Sequence, residues 1–194
     1  PGLGPENGYT HSICTPPHAV ETARAYRTLI ERLKKGDKAG IVIGTGHGRC
    51  TCKGAGFEFI SLMHNSLKDH GVRDRVSLTW LSNEPRPGDM GIDGFETQKG
   101  PVSFTSEDMV RALFQDYGIN IEVNSHVQKI DEKTIYTETV HGSFREIPYD
   151  FAMLIPPFEG QRIQYLDKNG NDIKDTICNP AGFVKVDACY GKSY

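Results

Sequence analysis

Apolar positions along the chain follow three spacing regimes. Over residues 18–35, Val20, Ala23, Tyr26, Leu29, Ile30 and Leu33 recur every three or four positions with charges between them, which predicts an amphipathic helix that Gly36 ends. Residues 39–43 (AGIVI) form a short β-branched run after a turn signal, as expected of a buried parallel strand, and a glycine-rich loop follows over 44–56. Residues 57–70 read as a second helix and 76–81 (VSLTWL) as a second strand, with a Pro- and Gly-containing loop over 83–88. A helix over 105–117, with Thr105 or Ser106 as cap, and a strand over 119–124 complete a second crossover unit. From Val127 the pattern changes to alternation, and residues 133–140, 143–148 and 150–155 read as short antiparallel strands. Past Pro156 and Pro157 the chain is irregular until a short strand over 182–186. The pattern predicts an α/β domain with a parallel sheet plus an antiparallel β-meander.

Composition narrows the classes of function. The 194 residues carry a formal net charge of −3 and 37% hydrophobic residues, with no long single-sign run, which argues against a nucleic-acid partner. No run approaches the roughly 18 apolar residues of a spanning helix, and the first residues have neither a basic nor an apolar leader region. A start at Pro1 and an end at Tyr194 read as cuts from a larger protein. Five cysteines without secretory features favour reduced, reactive or metal-bound thiols over a disulfide framework.

Candidate chemistry concentrates in two loops. Gly44, Gly46 and Gly48 follow a strand and lead towards a helix, the context in which glycines admit a pyrophosphate to a helix N-terminus. The same glycines also suit a plain tight turn. The usual fingerprint has an acidic residue about 20 positions on; here the candidate ribose ligand is Glu84, much further along, and the loop is lengthened by Cys50 and Cys52 beside Arg49 and Lys53. Cations and a helix N-terminus favour thiolates, so one of these cysteines is expected to be reactive. His47, Cys50 and Cys52 could alternatively hold a metal, but three ligands within six residues and no second knuckle make a poor zinc pattern, and no metal is expected. Cys14 and His18 place a thiol and an imidazole four residues apart at the entrance of the first helix, where His18 could shuttle a proton or stand as an exposed first-turn residue. Glu58, in the first turn after the cysteine loop, suits a general base or a carboxylate favoured by the helix dipole.

The segments Ser12-Ile13-Cys14-Thr15 with His18-Ala19, Ile41-Val42-Ile43-Gly44, Cys52-Lys53-Gly54-Ala55-Gly56-Phe57-Glu58-Phe59 and Cys178-Asn179-Pro180-Ala181-Gly182-Phe183-Val184 resemble, in this order, the sulfide:quinone oxidoreductase family. These flavoenzymes belong to the two-dinucleotide-domain superfamily that includes flavocytochrome c sulfide dehydrogenase and type II NADH dehydrogenase. Residues 1–17, rich in Gly and Pro, read as a linker or loop, and the resemblance implies a second Rossmann-like (FAD/NAD(P)-binding) three-layer domain with a β-meander over 18–155 and part of an incomplete FAD-binding domain over 156–194. It implies that Cys14 lies near the flavin, that Cys52 carries sulfur as a persulfide or polysulfide, and that His18 and Glu58 handle protons. The implied activity is FAD-dependent oxidation of sulfide to polysulfide or sulfur with reduction of a quinone. The N-terminal glycine fingerprint for FAD, the C-terminal partner cysteine and the membrane-docking helices have no counterpart in this sequence. The isolated piece is therefore expected to be soluble, inactive and without FAD, while the parent is expected at a membrane surface, with self-association left open. Two alternatives remain: an NAD(P)H-binding domain of an NADH:acceptor flavoenzyme using Gly44, Gly46, Gly48 and Glu84, and a metal or sulfur carrier using His47, Cys50 and Cys52. Cys178 and Cys189 are read as structural.

Overall fold

The structure, a computed structural model, describes residues 2–46 and 52–185. The chain divides into two compact units, Pro1–Pro157 and Phe158–Tyr194.

In the first unit, helix α1 spans Pro16–Lys34, opening on Pro16 and Pro17, whose missing N–H groups cost nothing in a first turn. Thr15 caps it, its side chain accepting from the His18 amide at 3.4 Å. Strand β1 (Ala39–Thr45), helix α2 (Lys53–Asp69) and strand β2 (Val76–Leu81) form the first crossover. A two-stranded hairpin, β3 (Glu96–Lys99) and β4 (Val102–Thr105), precedes α3 (Ser106–Tyr117) and β5 (Ile119–Glu122). Thr105 and Asp108 close a reciprocal capping box at the start of α3, and Gly118 ends it in the left-handed region. Strands β6 (Ser125–Ile130), β7 (Thr134–Thr139) and β8 (Phe144–Pro148) form an antiparallel meander, and β9 (Phe151–Ile155) returns to the main sheet.

That sheet has the order β5-β2-β1-β9 and is parallel throughout. Here the alternation reading of residues 150–155 as an antiparallel strand is corrected. Phe151–Ile155 is buried at every position, and it lies parallel to β1 with Ile41 opposite Phe151 and Ile43 opposite Met153. A five-residue strand covered on both faces is a continuous apolar run, whose direction is set by its neighbour and not by its own pattern. The segment before α1 is likewise partly structured. It contains a 3-10 turn at Pro5–Asn7 and a parallel bridge from His11 to Met153.

Helices α1, α2 and α3 cover one face of the sheet, burying Leu29, Ile30, Leu33, Ile60, Met63, Leu67, Val110 and Phe114 with Ile41, Ile43, Leu78 and Trp80. Each such side chain contributes about 1.5–3 kcal/mol of hydrophobic stabilisation. The meander covers the other face through Ile130, Ile135 and Tyr149, packed with Val42, Leu81, Ala152 and Leu154. This three-layer, Rossmann-like arrangement is the expected fold class. Among the described residues no helix is long and apolar enough to cross a membrane.

The second unit contains a short helix, α4 (Lys174–Ile177), and two isolated bridges, Leu166 with Asp172 and Cys178 with Val184. The strand expected over 182–186 is, among the described residues, only this single bridge. Buried Cys178 hydrogen-bonds the Tyr165 side chain, and burial followed by that bond raises the Tyr165 pKa.

Candidate functional site

Of the residues singled out in the sequence, Cys14 and His18 lie at the start of α1, while the carboxyl ends of β1 and β2 and the start of α2 carry Gly44, Gly46, Glu84 and Cys52. In parallel sheets this edge is where ligands bind, because the strand ends and helix N-termini leave unpaired backbone groups there. Gly44 has φ +154°, and a Cβ on it would lie 1.8 Å from the Leu81 carbonyl oxygen. Its glycine is thus required by the pairing of β1 with β2. Gly46 packs against the Leu3 side chain, where a Cβ would fall 2.5 Å from Cδ1. Gly48, with His47, Arg49, Cys50 and Cys189, lies outside the described residues.

Helix α2 begins at Lys53, not at residue 57. Gly54 and Gly56 read locally as loop, yet Gly56 lets the helix lie on the sheet, since a Cβ there would meet the Trp80 ring at 3.2 Å and the Gly44 Cα at 3.5 Å. The early start makes Cys52 the N-cap residue, with an exposed side chain that forms no capping hydrogen bond. It also moves Glu58, which is exposed, from the first to the second turn, weakening its reading as a first-turn helix-dipole carboxylate.

Cys14 is exposed two residues before α1, its amide donating to Ser12 Oγ at 3.1 Å. His18 is half-buried in the first turn. Its Nε2 lies 3.3 Å from Glu6 Oε1, while its Nδ1 is buried with no hydrogen-bond partner among the described residues. His18 is thus engaged by a carboxylate of the preceding turn and retains one polar atom that a ligand could satisfy. Among the described residues neither Cys14 nor Cys52 has a disulfide partner.

Glu84 departs from its expected role. Its side chain is 1% exposed, with Oε1 3.4 Å from Lys53 Nζ and Oε2 accepting from Ser82 Oγ at 3.0 Å. A carboxylate this deeply buried and already paired cannot turn to a ribose without breaking an ion pair away from water. Thr45 extends the cluster, donating to Ser82 Oγ and to Asn83 Oδ1 at 3.4 and 3.2 Å. Sequence reasoning missed the Lys53 partnership. The available signal was a lysine next to the cysteine loop at a helix start, where the dipole disfavours a cation.

Protein-family models give no match to the chain. Among curated proteins it is 30% identical over 180 residues to a sulfide-quinone reductase from Aquifex aeolicus (strain VF5), covering 92% of this chain. The chain spans 37% of the length of that relative. Among solved structures it is similar to the sulfide:quinone oxidoreductase from the hyperthermophilic bacterium Aquifex aeolicus, with TM-score 0.69 and 25% identity over 93% of this chain and 41% of the other. NDH2 from Plasmodium falciparum shares the fold, with TM-score 0.51 and 13% identity over 78% of this chain and 30% of that one.

Proposed function

We propose, from the chain's membership of the sulfide:quinone oxidoreductase family, that it is part of a flavin-dependent enzyme oxidising sulfide to polysulfide or sulfur and passing the electrons to a quinone. The observation that carries the reading is the exposed Cys52 thiol at the N-cap of α2, on the ligand-binding edge of a parallel sheet. Hydrosulfide attacking a disulfide that includes Cys52 leaves a persulfide on Cys52, and the other cysteine departs as a thiolate holding the electron pair of the broken S–S bond. The exposed Cys14 thiol and the Nδ1 of His18, which has no hydrogen-bond partner among the described residues, suit contact with a flavin ring. Bound FAD would supply the two-electron acceptor that this chemistry needs. Gly44 and Gly46 are packed against Leu81 and Leu3, and the Gly46 amide donates to the Ile155 carbonyl at 3.1 Å, so the cradle for its pyrophosphate would draw on other residues of the parent. His18, paired to Glu6, would hold and return a proton at the Cys14 side, and the exposed Glu58 would do so at the Cys52 side.

The sequestered Glu84 favours this reading over an NADH:acceptor flavoenzyme, because the acid that would select a ribose is neutralised by Lys53. The domain assignment of 156–194 to a FAD-binding domain, peripheral membrane attachment and self-association belong to the same proposal.

The deciding experiment adds sulfide anaerobically to the full-length protein and follows the flavin absorbance, then its recovery on adding a quinone. Bleaching by sulfide in the wild type and its loss of about 100-fold or more in rate in Cys52→Ser are expected, the scale of removing a nucleophile. A flavin that sulfide leaves oxidised and NADH bleaches would replace this reading with the nucleotide-dependent one.

A further inference from the structure

We propose that Glu84 is a positioning residue for Cys52, acting through Lys53. The inference rests on the role given to Cys52 above. Helix α2 starts with a residue of the wrong charge. Lys53 occupies the first helical position, where the macrodipole disfavours a cation, no acidic residue stands in the first turn, and the Cys52 side chain supplies no cap. Something else must hold this turn. The Lys53 side chain runs inward, 13% exposed, and its ammonium faces the buried Glu84 carboxylate at 3.4 Å.

Glu84 is itself fixed from three directions. Its Oε2 accepts from Ser82 Oγ, its amide donates to Ser82 Oγ at 3.2 Å, and its carbonyl accepts from the Asn124 amide at 2.7 Å. Oε1 has no hydrogen bond among the described residues, so its charge is directed at Lys53. The loop after β2 closes over the pair, since a Cβ on Gly91 would come 3.8 Å from Lys53 Nζ. The rigid end of β2 therefore tethers the residue that follows Cys52. A buried ion pair adds little stability compared with apolar residues of the same volume, so its presence here is accounted for by the placement it enforces.

The double variant Lys53→Met/Glu84→Gln removes the tether without leaving a buried charge unpaired, and is expected to fold. In the full-length protein, reduced and exposed to limiting iodoacetamide, alkylation rates of Cys52 and Cys14 are read by mass spectrometry that separates Cys52 from Cys50. Cys14 lies on another loop and serves as the internal reference. The Cys52:Cys14 rate ratio is expected to shift by about threefold or more in the double variant, a change in the range of coupled neighbours, and to stay at the wild-type value in Lys53→Arg, which keeps the ion pair. Sulfide-dependent flavin reduction is expected to slow about tenfold in the double variant, within the roughly hundredfold that misplacing a reacting group by about 1 Å can cost. A ratio unchanged in the folded double variant, or shifted equally by Lys53→Arg, would overturn the proposal. Because alkylation needs no sulfide chemistry, this result stands or falls separately from the assignment of sulfide as donor.

Discussion

At the residue scale, the glycines show how one residue type answers to different demands. Gly44, Gly46 and Gly48 look alike in the sequence, as a phosphate-cradling series. The structure gives Gly44 a reason independent of any ligand, because β1 passes so close to Leu81 that no side chain fits. Gly44→Ala is therefore expected to destabilise the fold by about 3 kcal/mol or more, combining strain at positive φ with a backbone clash. A urea titration followed by far-ultraviolet circular dichroism measures it, and a loss below about 1 kcal/mol would show that the strands can move apart. The candidate thiols Cys14 and Cys52 were legible in the sequence, through their neighbours and the family resemblance. The fate of Glu84 was not, since nothing local distinguishes a carboxylate that meets a ribose from one that meets Lys53.

At the element scale, α2 joins the candidate thiol Cys52 at its start to a packed anchor near its end. Near its C-terminal end His64 is buried and stacks on Tyr117 of α3, ring centroids 3.9 Å apart, while its Nδ1 accepts from Arg73 Nε at 3.1 Å. Arg73 also donates to the carbonyls of Val76, Tyr117 and Gly118, tying α2, β2 and the turn into β5 together. Burial, and after it the Arg73 and Lys68 charges, lowers the His64 pKa, so the folded protein holds a neutral imidazole. The unfolded chain binds that proton more readily, so the stability it confers is full above the ordinary histidine value of about 6.5 and is lost as pH falls through the lowered folded value. The wild type should lose stability between pH 7 and 5 more steeply than His64→Gln does. Denaturation midpoints across that range provide the comparison, and parallel slopes would remove His64 as the source.

At the scale of the whole first unit, the three layers are joined by residues that reach across them. Tyr149 is one. Its hydroxyl lies 2.8 Å from the Tyr9 carbonyl and 2.5 Å from the Asp131 carbonyl, linking the segment before α1 to the turn between β6 and β7. Burial, aided by the nearby Asp131 charge, pushes its pKa up to about 12. The folded state keeps this proton while the unfolded chain releases it near pH 10, so stability should fall as pH rises from 10 towards 12. Tyr149→Phe should be less stable at neutral pH yet lose part of that alkaline decline. Thermal melts at pH 8 and 11 on both proteins give the answer, and an identical alkaline loss would exclude Tyr149. At the same scale, Arg145 of β8 pairs with Glu122 of β5 at 2.5 Å, fastening the meander to the sheet edge.

The sequence by itself determined the helices and strands whose periodicity is strong. α1, β2 and α3 fall within two residues of where the apolar spacing puts them, because the face a residue presents is set by local backbone geometry. It also marked Cys14 and Cys52. Only the tertiary structure decided the direction of β9, the hairpin Glu96–Lys99 with Val102–Thr105, the early start of α2 and the partner of Glu84. Each of these depends on residues distant in the chain. β9 takes its direction from β1, position 56 of the helix suits a glycine because a Cβ there would press on Trp80 and Gly44, and the charge on Lys53 is tolerable where it is because Glu84 waits at the end of another strand.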